Sequence, residues 1–146
     1  MYNFYGAENL DVSPITTELN WLRSPYDLYN ALSDGLWRRE TCAPRMQEEW
    51  SEDNKTLGQC SITAFLVQDL FGGEVYGIPR EGGHFHCYNV VDGHRFDLTS
   101  EQFGDSVRFL IYDDQYPQRR EDHFAGFEKK QRYELLRSLV YAYKKE

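Results

Sequence analysis

A thiol at the mouth of an apolar helix, with an imidazole and a carboxylate on neighbouring strands, can do nucleophilic chemistry, and the sequence offers one candidate of each. Cys60 opens the run Ser61 to Phe71, which is mostly apolar and stops at Gly72-Gly73. Unpaired N–H groups and the macrodipole at a helix start favour negative charge, so a thiol placed there is drawn toward thiolate. A free thiol with a pKa of about 8.5 is only a few per cent thiolate at neutral pH, so a nucleophilic Cys needs this help and usually an adjacent His. Cys42 and Cys87 have no comparable setting. The competing reading of Cys60 is a structural core cysteine, a common role for this small side chain.

The choice among His84, His86 and His94 follows from the link Asp92-Gly93 between two runs rich in aromatic and β-branched residues. Such a two-residue link is a strong hairpin signal because both positions must take φ > 0. It sets Val91 against His94, Val90 against Arg95, Tyr88 against Asp97 and His86 against Thr99. Side chains alternate faces with period 2, so His86, Tyr88, Asp97 and Thr99 share a face. Asp97 is then the diagonal neighbour of His86, about 7–8 Å away between backbones and within side-chain reach. His84 sits one pair further along and His94 points to the other side. A carboxylate beside His86 would fix the imidazole tautomer and stabilise imidazolium. Two other readings stay open: a satisfied polar pair on a sheet face, or a metal held by Cys60, His84 and His86, although no second Cys or conventional spacing supports zinc there. Asn89 falls on the opposite strand face and is expected to be structural, and His123 lies in a charged loop, where it is expected to be solvated.

These residues need elements to hold them. Ser24-Pro25, with Asp27 in the first turn, starts a helix predicted from about Pro25 to Trp37, whose Leu28, Ala31, Leu32 and Leu36 face the core. Arg38 to Leu57 reads as a long polar loop around Trp50, either lining a substrate cleft or plugging the core with its Trp. A buried helix over Ser61 to Phe71 follows, with Gly58, Gln59 and Cys60 at its mouth. Strands are predicted over Glu74 to Ile78, His84 to Val91, His94 to Thr99 and Val107 to Tyr112. A C-terminal helix carries Tyr133, Leu136, Val140 and Tyr143 on one face, with Lys144 and Lys145 suited to its dipole. Helices, sheet and helix in that order describe an α+β fold.

Composition sets the outer limits. A chain of 146 residues with 40% hydrophobic and 27% charged residues is long enough for one domain, residues 1–146, with a core that needs no staples. The mass implies roughly 8,000 Å² of folded surface. Disordered, collagenous and disulfide-miniprotein classes are excluded. Three cysteines without CxxC spacing argue for a reducing compartment. Sixteen basic against 24 acidic residues give a net charge of -8, which repels phosphate backbones and anionic lipid. No nucleic-acid partner, no membrane span and a cytoplasmic location are therefore expected.

Four stretches resemble the small bacterial YunG family: Gly58-Gln59-Cys60-Ser61-Ile62-Thr63-Ala64 with Val67 to Glu74, His86-Cys87-Tyr88-Asn89, Phe96 to Phe103, and Trp37 with Glu40-Thr41 and Trp50. The likeness runs from about Trp37 to Phe103 and is most specific at Gly-Gln-Cys, His-x-x-Asn and Asp-Leu-Thr. It implies a Cys, His, Asp order similar to papain-like and transglutaminase-like proteins, carried here by Cys60, His86 and Asp97. Cys87 departs from the pattern, since an aromatic residue is expected beside the His.

The resulting expectation is a cysteine hydrolase or acyltransferase acting on an amide or thioester bond of a peptide, amide or acyl substrate. Cys60 would be the nucleophile, His86 the general acid and base, and Asp97 its orienting group. N–H groups at the helix start, with the Gln59 amide, would hold the oxyanion. No cofactor is expected. The alternative is a non-catalytic binding or interaction protein that keeps the same fold.

Overall fold

A helix that is apolar on every side has to lie inside the molecule. In the computed structural model, which describes residues 2–143, the run after Gln59 does so. In chain order the elements are α1 (Pro25–Ala31), α2 (Cys60–Phe71), β1 (Glu74–Pro79), β2 (Phe85–Val91), β3 (His94–Phe96), β4 (Tyr116–Pro117), α3 (Arg120–His123) and α4 (Phe127–Ala142), joined by short 3-10 or π turns and loops. The strands form one antiparallel sheet in the order β3-β2-β1-β4. α2 packs against β1 and β2 on one side and α4 on another, which leaves Ile62, Phe65, Leu66, Val67 and Leu70 fully covered. The fold is α+β, and no helix among the described residues is long and apolar enough to cross a membrane.

The hairpin has the register that its turn residues dictate. Asp92 (φ 50°) and Gly93 (φ 79°) both occupy the left-handed region, and the pairs are Val91 with His94, Val90 with Arg95 and Asn89 with Phe96. β3 is shorter than the predicted His94 to Thr99, because Asp97 pairs instead with Tyr5, donating its N–H to the Tyr5 carbonyl at 2.9 Å. The N-terminal segment is thus a structural part of the sheet edge. Its Phe4, Leu10, Val12, Leu19 and Leu22 enter the same core as α2.

Four further elements differ from the sequence expectation. The helix predicted to reach Trp37 ends at Ala31 and passes into a wider turn over Leu32–Leu36, broken at Asp34 and at Gly35 (φ 88°); the side chain of Ser24 makes no cap bond. Val107 to Tyr112 is not a strand. A run of 3-10 turns, broken at Gly104 (φ 55°), covers Ser100–Phe109, and the apolar side chains of Phe109 and Ile111 face outward while Tyr112 turns in toward Asp97. The loop before α2 contains two 3-10 turns, Arg39–Thr41 and Pro44–Met46, and its Trp50 is buried with the indole N–H donating to the Lys55 carbonyl at 3.0 Å. On α4, Tyr133, Leu136 and Val140 face the core, Tyr143 lies just beyond the last turn, and Lys144 and Lys145 fall outside the described residues.

One glycine couples that loop to the start of α2. Gly58 sits at φ 72°, its carbonyl accepts from the Ala43 N–H at 2.9 Å, and a Cβ there would lie 2.5 Å from Cys42 Sγ and 2.9 Å from the Ala43 nitrogen. Neither the backbone angle nor the space suits an L side chain. Gly58→Ala is expected to lower unfolding stability by roughly 1–3 kcal/mol in a denaturant titration. A loss under about 0.5 kcal/mol, the range of a neutral surface change, would contradict the close approach.

Candidate active site

Asp97 is the most fully bonded side chain in the neighbourhood. Its Oδ1 accepts from the Thr99 N–H at 3.1 Å and the Thr99 hydroxyl at 3.2 Å, and its Oδ2 accepts from the Tyr112 hydroxyl at 2.6 Å and from His86 Nε2 at 2.5 Å. Tyr112 is held in turn by stacking on Tyr5 at 3.7 Å between ring centroids and by an edge contact with Tyr88 at 4.9 Å. Burial, reinforced by the Asp97 charge, pushes the Tyr112 hydroxyl far up, so it remains an O–H donor. With Nε2 committed to a carboxylate, which can only accept, the second ring nitrogen of His86 is left for another partner. The imidazole is 1% exposed and meets the edge of Phe103 at 4.7 Å between centroids.

Cys60 shares the cleft with His86, and its thiol donates to the carbonyl of Phe85, the residue before His86, at 3.9 Å. Burial opposes a charged His86, but the Asp97 carboxylate, with the Cys60 thiolate adding to it, outweighs burial and raises the imidazole to about 10. Cys60 moves the opposite way, well below the ordinary thiol range. The main cause is the neighbouring Cys87 thiol, which overcomes burial, and the positive charge of the nearby His86 adds to it. Cys87, beside the negative Cys60 and itself buried, is driven well above that range. The arrangement therefore favours a Cys60 thiolate beside a His86 imidazolium at neutral pH. Cys87 is the residue that sequence reasoning set aside. Its adjacency to His86 was visible, but its reach across to the mouth of α2 depends on how that helix crosses β2.

Local structure explains why the thiol sits where it does. The first intrahelical bond of α2 runs from the Thr63 N–H to the Gln59 carbonyl at 3.1 Å, so the N–H groups of Cys60, Ser61 and Ile62 have no acceptor within the helix. Cys60, Ser61 and His86 line one open cleft of about 860 Å³, and Cys60 is half-buried, whereas Cys42 and Cys87 are buried. All three cysteines are free. Gln59 does not play the role predicted from sequence. Its side chain is fully buried, its amide donates to the Arg38 carbonyl at 3.1 Å, and it is absent from the cleft wall. Asn89 is turned to α2, where its amide donates to the Ala64 carbonyl at 2.9 Å.

One other expectation changes, that for His123, and two alternatives left open by the sequence are narrowed. Trp50 does not line the cleft; Ala43, Pro44, Arg45 and Met46 from the same loop do. His84 is exposed on the rim, and no three His, Cys, Asp or Glu side chains among the described residues are grouped to hold a metal ion, so the geometry does not assemble Cys60, His84 and His86 as ligands. His123 is not a solvated loop residue. It ends α3, is half-buried against Phe65 at 5.0 Å between centroids, and lines the cleft.

Comparisons with known proteins fit this chain into one group. The YunG protein family model matches residues 24–145, well beyond the stretch in which the likeness was visible by eye. A Bacillus subtilis (strain 168) protein described as uncharacterized protein YunG is 31% identical over 99 residues, covering 68% of this chain and 81% of that protein. No solved structure matches. With the family model spanning most of its length, the chain belongs to the YunG family.

Proposed function

We propose that the chain is a cysteine-dependent hydrolase or acyltransferase acting on an amide or thioester bond, built on a papain-like or transglutaminase-like core. The observation that carries this reading is the buried His86 and Asp97 pair at the wall of an open cleft that Cys60 also lines. A helix bearing a thiol at its first turn, packed on an antiparallel sheet that presents the imidazole and the carboxylate, is the arrangement such a core uses.

In the proposed reaction the Cys60 thiolate attacks the substrate carbonyl carbon, a C–S bond forms, and the carbonyl electron pair moves onto oxygen. The unpaired N–H groups of Cys60 and Ser61 at the start of α2 are the donors available for that oxyanion. Collapse breaks the bond to the amine or thiol, which takes its proton from the His86 imidazolium and leaves an acyl-thioester on Cys60. Neutral His86 then removes a proton from water or another acceptor, which attacks the thioester and restores the thiolate. Asp97 keeps the ring in one tautomer throughout, and Thr99 and Tyr112 keep Asp97 in place.

A second reading, a binding protein that keeps the fold without turnover, draws on the near-complete burial of the His86 ring. The two differ in what the thiol does. In the catalytic reading iodoacetamide alkylates Cys60 faster than Cys42 or Cys87, and the Cys60 rate persists well below pH 8, because a lowered thiol pKa keeps thiolate present there. Labelling of Cys60 no faster than Cys42 contradicts it. p-Nitrophenyl acetate should acetylate wild-type protein at Cys60, seen by intact mass, and leave Cys60→Ala unmodified. Asp97→Asn should slow deacylation at neutral pH on the order of a hundredfold or more. An acetyl group found elsewhere, or deacylation indifferent to Asp97, supports the binding reading.

A further inference from the structure

The wall of the cleft that holds Cys60 and His86 carries charge that runs against the rest of the chain. Arg45, Arg80, Lys129 and Arg132 line it with Glu81 as the one acid, in a protein whose net charge is -8. Arg132 is neutralised, since it pairs with Glu128 and also donates to the Thr41 carbonyl at 3.0 Å. Arg45, Arg80 and Lys129 have no acidic partner among the described residues. Arg80 instead lies over Phe103, 5.2 Å from the ring centroid, and Phe103 in turn meets the His86 ring, so the guanidinium is held at the rim near His86.

Lys129 is held in place by a relay that the proposed chemistry does not use. The Gln118 backbone N–H is fixed to the Val75 carbonyl at 2.9 Å, and its side-chain amide N–H₂ donates to the Tyr116 carbonyl at 3.1 Å. The Gln118 amide oxygen therefore faces His123, whose Nε2 donates to it at 2.8 Å. His123 Nδ1 is left bare and accepts from the Lys129 ammonium at 3.0 Å. Burial, with Lys129 adding to it, lowers the His123 pKa and keeps this ring neutral, as the relay requires. One of the three ammonium N–H groups is used in this way, and two remain for the cleft.

We propose that Lys129, positioned by the Gln118 and His123 relay and assisted by Arg80 at the rim, binds a negatively charged group of the acyl donor, a carboxylate or a phosphate, next to the carbonyl that Cys60 attacks. This rests on the cysteine-nucleophile reading above and names the substrate class of the same site. A neutral peptide bond flanked by apolar side chains would leave the half-buried ammonium without a counter-charge, whereas an anionic donor supplies one. The acidic surface elsewhere repels the same ligand, so the cleft is where an anion gains most.

Two alkylating agents of nearly the same size test this, because iodoacetate carries a carboxylate and iodoacetamide does not. The quantity read is the ratio of the iodoacetate to the iodoacetamide rate at Cys60, which cancels the intrinsic reactivity of the thiol. In Lys129→Gln the ratio is expected to fall on the order of fivefold to tenfold, and in Lys129→Arg to stay near wild type. Arg80→Gln, at an exposed rim position, should lower it by a smaller factor and serves if the α4 variant fails to fold. Glutarate and inorganic phosphate, each tested as protectants of wild-type Cys60 against iodoacetamide, separate the two anion types, and protection by either one supports the site. An unchanged ratio in folded Lys129→Gln and Arg80→Gln, with no protection by either anion, overturns the proposal. Failure of the nucleophile reading looks different: Cys60 then reacts with iodoacetamide no faster than Cys42 does.

Discussion

The bond between His86 and Asp97 is the constraint on which the site depends. Burying a carboxylate and an imidazolium together costs several kcal/mol per ion unless their remaining lone pairs and protons are satisfied. Here they are, since Asp97 accepts four hydrogen bonds from three residues. Two of those residues, Thr99 and Tyr112, come from segments without regular strand structure, and the Asp97 backbone is fixed by Tyr5 from the N-terminal arm. Pieces far apart in sequence thus converge on one carboxylate. The ring it orients is then available to the thiol at the mouth of α2.

Much of this convergence is legible in the residues, and what is not has a physical reason. The pairing of His86 with Asp97 follows from a two-residue turn and a period of 2, both local rules that leave little freedom. The mouth of α2 is legible because a run of apolar residues ended by Gly-Gly has one natural direction and start. Tyr5 and Tyr112 are not legible: each reaches Asp97 through tertiary packing, and Tyr112 lies in a stretch whose β-branched and aromatic content suggests a strand. The 3-10 turns of Ser100–Phe109 run into that stretch, and Phe109 and Ile111 point outward, so propensity alone misreads it. Gln59 is misplaced for a similar reason. Adjacency to Cys60 in sequence puts its backbone at the helix start, but its side chain is drawn down to the Arg38 carbonyl and away from the cleft.

Electrostatics ties the site to the rest of the molecule. The neighbouring Cys87 and His86 lower the Cys60 pKa despite burial, and the N–H groups of the first turn of α2 start at the same residue. Around this negative centre the cleft is lined by cations, while the outer surface is acidic. The central position of α2 supports the arrangement, since a helix packed on both the sheet and α4 cannot shift its first turn without disturbing a covered core.

The most direct test of the central claim is the protonation state of His86 itself. Titration of its ring nitrogens by ¹⁵N NMR in wild-type protein should show an imidazolium through neutral pH that loses its proton only near pH 10, as the Asp97 and Cys60 partners require. A His86 ring that deprotonates near pH 6.5, the value of an unperturbed imidazole, would contradict the thiolate and imidazolium pair and the chemistry built on it.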